Sequence, residues 1–398
     1  MTDESRTKYI LLIPDGMADR PLDELDGKTP MQVARKSNMD YLAANGRVGA
    51  VKTIPPGMDP GSDVAAMSLL GYDPREFYTG RGPIEAASME LSVEARDVVY
   101  RCNLVSSDGE TMIDYSAGHV TTEEARELIA LVNEKLGTRK IAFYPGVSYR
   151  HLMVWRESSP DVKTTPPHDI VGRPIEEYLP QGDGEAALRS LMFDSLELLD
   201  NHPINRRRRD EEKNPANMIW LWGQGRAINI PSFFSKTRLM GAVVAAVDLV
   251  KGLGRAAGLR VVDVPGATGY LDTNFEGKAK CALDALKERD FVLIHVEAPD
   301  EAGHIGDIDK KIEAIQNVDE RLLGALLDGL QEVRFRILIA PDHVTPISIR
   351  THASDPVPFA IFSSFEPAGT KLPFDESAVE ETDLMVEEGH RLIEILLR

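Results

Sequence analysis

Three apolar runs stand out from the polar background of the chain: "KYILLI" at 8–13, "FVLIHV" at 291–296 and "RILIA" at 336–340. Each is short and rich in Ile, Leu and Val, the pattern of a strand buried on both faces of a parallel sheet. Helical periodicity lies between them. "SDVAAMSLLGY" at 62–72 opens on a Ser-Asp pair suited to capping a helix and continues with apolar residues at helical spacing. "IDKKIEAIQNVDERLLGALLDGL" at 308–330 predicts a longer amphipathic helix between the second and third strands. Strand–helix–strand alternation of this kind predicts an α/β domain, a mostly parallel sheet flanked by helices.

The middle of the chain reads differently. From about Ile84 to Phe234, alternating segments such as "ELSVEARDVVYRCNLVSS" and "KIAFYPGVSYRHLMVW" flank the helical "TTEEARELIALVNEKLG", with Pro/Gly-rich loops among them. This is the pattern of an α+β insertion with antiparallel strands. The predicted organisation is a discontinuous catalytic domain, 1–84 and 236–398, carrying an inserted cap over 85–235.

A length of 398 residues accommodates two such domains, and a hydrophobic fraction of 42% marks a folded chain. The balance of 45 Lys and Arg against 64 Asp and Glu gives a net charge of −19. That argues against nucleic acid or a membrane surface as partner, since both need basic faces. It leaves room for an anionic small molecule in a locally basic pocket. Two cysteines make no disulfide framework and fit a reduced, cytoplasmic setting. The start, "MTDESRTKYILLIPDG", is too polar and its apolar run too short for a signal peptide.

The chemistry lies where the strands end. In open parallel sheets ligands sit beyond the carboxyl ends of the strands. The first run is followed by Asp15. The second is followed by Asp300, with His304 four residues on. The third is followed by Asp342 and His343, with His352 beyond. Carboxylate and imidazole together suit Mn²⁺, Zn²⁺ or Fe²⁺. Six such ligands exceed one tetrahedral site and match two ions, an arrangement that clamps attacking and leaving oxygens in phosphoryl transfer. In "PGMDPGSDVAAMSLLGY" a glycine turn delivers Ser62 to a helix start, where a hydroxyl beside an ion becomes a nucleophile. Backbone N–H groups there also suit phosphate oxygens. His295 and Glu297 alternate with apolar residues and read as supporting or packing residues. "KGLGRAAG" at 251–258 reads as a helix end, and "RRRRDEEK" at 206–213 as a solvated loop, with room for one of its arginines to line the pocket.

The motifs "IPDGMAD", "PGSDVAAMSLLGYDP", "YTGRGPIEAAS", "YPGVSYRHL", "PPHDI", "WLWGQGR", "APDEAGHIGD" and "APDH" with a later "TH" carry a resemblance. Over essentially its whole length the chain resembles the cofactor-independent phosphoglycerate mutases, in their archaeal-type branch, within the alkaline phosphatase superfamily. The resemblance implies an alkaline-phosphatase-like sheet with an inserted cap. It implies one ion on Asp300, His304 and His352, and a second on Asp15, Ser62, Asp342 and His343. Manganese is the first choice for both, with zinc, magnesium, cobalt or iron also accommodated, and no 2,3-bisphosphoglycerate is required. It implies that Ser62 takes the phosphoryl group of 3-phosphoglycerate and returns it to the 2-hydroxyl of retained glycerate under a closed cap. A substrate with carboxylate and phosphate calls for cations, and Arg81, Arg150, Arg226 and Lys236 are the candidates. His119, His168 and Asp169 are further cap candidates, one of which would serve as acid or base toward a glycerate hydroxyl. A homo-oligomer is compatible with all of this.

Other readings share the same core. Homoserine kinase-like phosphoryl transfer would also use Ser62, although the sequence shows no P-loop or kinase glycine loop. A phosphomonoesterase would release phosphate. A non-enzymatic binding protein on the same fold would leave seven intact metal and nucleophile positions unexplained.

Overall fold

A computed structural model describes residues 6–369 and 372–398; residues 1–5 of the polar N-terminal segment lie outside it. The chain divides into two compact units, Met1–Tyr78 with Asn229–Arg398, and Thr79–Ile228.

The first unit is built on an eight-stranded sheet. Its spatial order is Arg260–Val262, Gly241–Val244, Phe291–Val296, Lys8–Pro14, Phe335–Ile339, Val357–Ser363, Arg47–Val51 and Met385–Val386. The first five strands run parallel. Val357–Ser363 is antiparallel to both of its neighbours. The three expected strands are therefore adjacent at the centre, and Ile10, Leu11, Leu12 and Ile13 of the middle one are wholly buried. Burial on both faces explains their unbroken apolar run.

Two helices differ from expectation in instructive ways. The first runs Ser62–Leu69 and ends before Gly71, whose φ of 93° suits the reversal that follows. Its capping residue is Gly61, with no side-chain cap, so Ser62 is the first helical residue and its hydroxyl is not spent on the helix end. The second begins at Ile308 but widens to a π-helix over Val318–Gly324 before finishing as Ala325–Gly329. The widened turn holds the buried Asp319, whose carboxylate accepts from Met39 N at 2.7 Å and Asn38 N at 3.2 Å. It thereby caps the helix Ser37–Ala44, which has no side-chain cap from its own preceding residue. "APDEAGHI" is itself a helix, Ala298–Ile305, which places Asp300 and His304 one turn apart on one face.

The second unit is α+β. Strands Val98–Ser107, Met112–Asp114, Ile141–Tyr144, Arg150–Trp155 and Met218–Arg226 form an antiparallel sheet around Val98–Ser107, with Thr122–Leu136 and Glu185–Leu199 among its helices. This unit begins at Thr79, not at residue 85, and ends at Ile228, not at residue 235. Its early start follows from helix Arg81–Ser88: Gly82 lies so close to the carbonyls of Val99 and Gly223 that an added Cβ would fall 2.8 Å from the first. The early end follows from Phe233, which stacks on Phe291 of the first unit's sheet at 4.5 Å. The arginine run is also not a loop. It forms helix Pro203–Asp210, and Arg208 is buried against Glu124 and the Ala117 carbonyl.

Candidate active site

The parallel register brings the strand ends level. Asp15 follows Lys8–Pro14, and its N–H donates to the carbonyl of Val296 at 2.9 Å. Asp342 lies just beyond Phe335–Ile339, and its Oδ1 accepts from Gly16 N and His343 N, both at 3.0 Å. Gly16 has to be glycine. Its φ is 57°, and a Cβ there would lie 2.4 Å from both Asp300 Oδ1 and Thr345 Oγ1. The site is thus packed tightly against backbone.

Asp300, His304 and His352 converge as one group. His304 Nε2 is 3.2 Å from Asp300 Oδ2, His352 Nε2 is 3.5 Å from Asp300 Oδ1, and the two Nε2 atoms are 3.0 Å apart. Each ring holds its other nitrogen near a carbonyl: His304 Nδ1 is 3.0 Å from Arg350 O, and His352 Nδ1 is 3.3 Å from Pro60 O. With Nδ1–H donating there, both Nε2 lone pairs face each other and the carboxylate, which is how metal-binding imidazoles are oriented. Burial alone would raise the Asp300 carboxyl, but the two imidazoles hold it well below the usual carboxylate range. Reciprocally, burial would lower His304, while Asp300 brings it up to about 9.

Asp15, Asp342 and His343 are wholly buried beside this group. His343 Nε2 faces three oxygens: Ser62 Oγ at 3.2 Å and Asp15 Oδ1 and Asp342 Oδ2, each at 3.4 Å. Its Nδ1 lies 3.2 Å from Thr345 Oγ1, which in turn donates to Asp300 Oδ1 at 2.5 Å. If Nδ1 carries the proton, Nε2 presents a lone pair to the three oxygens. Among the described residues, Asp15 Oδ1, Asp15 Oδ2 and Asp342 Oδ2 are buried with no hydrogen bond. Burial pushes the Asp15 carboxyl well above its ordinary value, and the charges of Asp342, Asp300 and Glu297 push it further. Clustered carboxylate oxygens without donors are costly unless a cation sits among them, so the residues fit divalent ions.

The remaining candidates fall in other places. Lys236 is an exposed residue of the first unit, where its ammonium donates to the Gly71 carbonyl and lies 5.0 Å over the Tyr72 ring. Its head is therefore engaged at the far end of the Ser62 helix. In the second unit, rings and cations form a chain of contacts. Arg150 lies 5.3 Å over Tyr149, and Tyr149 meets Tyr115 at 5.7 Å and His119 at 6.5 Å. Tyr115 meets His168, and His168 meets Trp222 at 5.5 Å. Trp222 carries the Arg101 guanidinium 4.5 Å above its ring. Arg81 and Arg101 share Glu85, at 3.8 and 3.0 Å. Asp169 pairs loosely with His168 at 3.7 Å, on the exposed side. Arg226 ends the strand opposite Val98, and its carbonyl accepts from Thr79 Oγ1 at 2.8 Å.

Sequence reasoning passed over Arg101, which is buried with its guanidinium brought down to about 10 by burial, against the opposing pull of Glu85. A charged residue inside an apolar strand run was its only signal. It also passed over Thr345 and the buried Lys311–Asp19 pair, which hold the loop carrying Asp342 and His343. Lys311 Nζ donates to Asp19 Oδ2 at 2.7 Å, to Thr345 O at 2.8 Å and to Ala18 O at 3.2 Å.

Comparison with known proteins bears on the family. Residues 43–205 match the family described as 2,3-bisphosphoglycerate-independent phosphoglycerate mutase. A protein of that name from Methanosarcina barkeri is 50% identical over 395 residues, covering 98% of this chain and 99% of its own. Another from Methanothrix thermoacetophila is 50% identical over 392 residues, with 98% and 99% covered. The solved cofactor-independent phosphoglycerate mutase of Thermoplasma acidophilum superposes with a TM-score of 0.65 at 26% identity, covering 98% of this chain and 99% of that one. A sheet whose strand ends gather three aspartates, three histidines and a serine, and relatives that match it at half identity from end to end, place the chain in the 2,3-bisphosphoglycerate-independent phosphoglycerate mutase family.

Proposed function

We propose that the protein interconverts 3-phosphoglycerate and 2-phosphoglycerate through a phosphoserine at Ser62, without a bisphosphoglycerate primer. The observation that carries this is the position of the Ser62 hydroxyl. It stands at the first position of a helix, free of capping duty, 3.2 Å from His343 Nε2 and beside buried carboxylate oxygens that, among the described residues, accept no hydrogen bond. Asp300, His304 and His352 would hold one divalent ion, and Asp15, Ser62, Asp342 and His343 the other. Bound there, such ions supply charge neutralisation for the phosphoryl oxygens and lower the cost of ionising a hydroxyl.

The chain's own residues do the rest. Ser62 Oγ attacks phosphorus in line as the bond to the 3-oxygen breaks, so the phosphoryl group passes to Ser62 and glycerate gains a hydroxyl. The positive end of the Ser62–Leu69 helix favours the anion that gathers at its first turn. Glycerate's 2-hydroxyl then attacks the phosphoserine, loses its proton, and restores the Ser62 hydroxyl. Thr345 ties His343 to Asp300, so the imidazole and the carboxylate keep one orientation through both transfers. Arg81, Arg101 and Arg150 of the second unit are assigned to the substrate's anionic groups, with His119 and His168 beside them. Arg101 is prepaid in this respect, because its guanidinium is already buried and stacked. Asp169 and Arg226 stand behind these, since among the described residues no contact ties Arg226 to the ring cluster and Asp169 is exposed. Among the described residues no helix is long and apolar enough to cross a membrane. That is compatible with a cytoplasmic enzyme acting on a soluble phosphate ester.

Rapid acid quench of enzyme mixed with 3-phosphoglycerate and Mn²⁺, followed by peptide mass spectrometry, tests the intermediate. A phosphoryl group on the peptide containing Ser62, forming within one turnover, is the expected result. Turnover that proceeds with that peptide never modified would exclude the phosphoserine route.

A further inference from the structure

We infer that His295 is a direct ligand, through Nε2, of the ion held by Asp15 and Asp342. The inference rests on the two-ion reading above and adds a fifth residue to one of its sites. It begins with register. Parallel pairing sets Ile13 opposite His295, so the imidazole stands beside the end of the central strand, where Asp15 follows. His295 Nε2 lies 3.0 Å from Asp15 Oδ2, and both side chains are out of water.

A histidine that merely steadied a carboxylate would aim an N–H at it. Here neither atom of the pair makes a hydrogen bond despite the short separation. Asp342 is the third residue of the group, and among the described residues its Oδ2 too is buried without a donor. Asp15, His295 and Asp342 each offer one atom, all within 4.8 Å of one another. Donor atoms that each lie about 2.1 Å from one five-coordinate ion, at angles of about 90–120°, are themselves about 3.0–3.6 Å apart. Close approach, failed hydrogen-bond geometry and common convergence are what an ion between the atoms produces. The imidazole is also held for the task. Its strand is central, and the wholly buried Lys278 donates from Nζ to the His295 carbonyl at 3.0 Å. With His343, the site then offers two imidazoles and two carboxylates besides Ser62, a set suited to Mn²⁺, Fe²⁺ or Zn²⁺ rather than to Mg²⁺.

Cadmium-113 bound to the full-length enzyme, with ¹⁵N-labelled histidine, tests this without any substitution. Coupling of ¹¹³Cd to the nitrogens of His295, His304, His343 and His352 is expected. Coupling at the other three with His295 uncoupled would overturn the inference while leaving the two-ion reading intact. Failure of the native chain to hold two ions would overturn both. A second measurement uses His295→Gln and Mn²⁺ titration calorimetry. Loss of an orienting partner weakens metal binding by about 10–100-fold. Loss of a ligand should therefore weaken one of the two ions by more than about 100-fold and spare the other. A folded variant that binds both ions as tightly as the parent would contradict the assignment.

Discussion

Replacing Ser62 by alanine is expected to lower mutase turnover by about 10⁴-fold or more, with the fold and the metal-binding side chains otherwise undisturbed. The size of the effect follows from the role. A nucleophile that carries the phosphoryl group between two transfers has no substitute, and losing such a residue costs factors of about 10⁴ to 10⁶ in enzymes of comparable logic. The mildness of the structural effect follows from position. Ser62 is not the capping residue, and no backbone N–H of its helix depends on its hydroxyl. Steady-state assay of Ser62→Ala, with circular dichroism to confirm folding, reads both parts. A variant retaining more than about one-hundredth of wild-type turnover would show that phosphoryl transfer bypasses Ser62.

The largest stability effect is expected at Lys311. Its ammonium is wholly buried, and so is its partner Asp19. Asp19 also accepts from Ile347 N through both oxygens at 3.3 Å, and its own N–H donates to Glu376 at 2.8 Å. Burial lowers the Lys311 pKa, while Asp19 opposes that shift. Lys311→Met removes the cation and leaves Asp19 charged in a site closed to water. Breaking a buried pair in that way costs about 3–5 kcal/mol. A second change, Asp19→Leu, removes the stranded charge and should recover a good part of the loss, because a buried pair exchanged for apolar residues is often close to neutral. Urea unfolding followed by circular dichroism measures the three proteins. A Lys311→Met penalty below about 1 kcal/mol would mean that water reaches Asp19. Because Lys311 also donates to the Thr345 carbonyl, both variants should hold metal more weakly than the wild type.

The central strands and the acidic residues that end them were legible in the sequence because burial on both faces leaves an unbroken apolar run. A polar residue that ends such a run is conspicuous. The residues that were missed are polar groups inside those runs. His295 sits mid-pattern on its strand and looks like packing. Only the lateral pairing of Ile13 with His295 reveals that it stands beside Asp15. Arg101 was hidden in the same way within Val98–Ser107. The Ser62 helix was found, but its cap was misassigned, because Ser-Asp after glycine fits capping as well as it fits a free hydroxyl at the first helical position. The π-turn at Val318–Gly324 has no periodic signature, since it arises from Asp319 reaching another helix's N-terminus. Lys311 reads as one more lysine on an amphipathic helix, and tertiary packing alone turns it inward.

Phosphorus NMR of the purified enzyme with 3-phosphoglycerate and Mn²⁺, in the absence of any bisphosphoglycerate, tests the primer-free mutase most directly. Growth of the 2-phosphoglycerate resonance to a steady ratio with 3-phosphoglycerate, with no inorganic phosphate, is the predicted result. A spectrum in which inorganic phosphate alone grows would identify a phosphomonoesterase. A spectrum that never changes while both ions are bound would contradict the assigned substrate and turn attention to a different phosphoryl acceptor at the same serine.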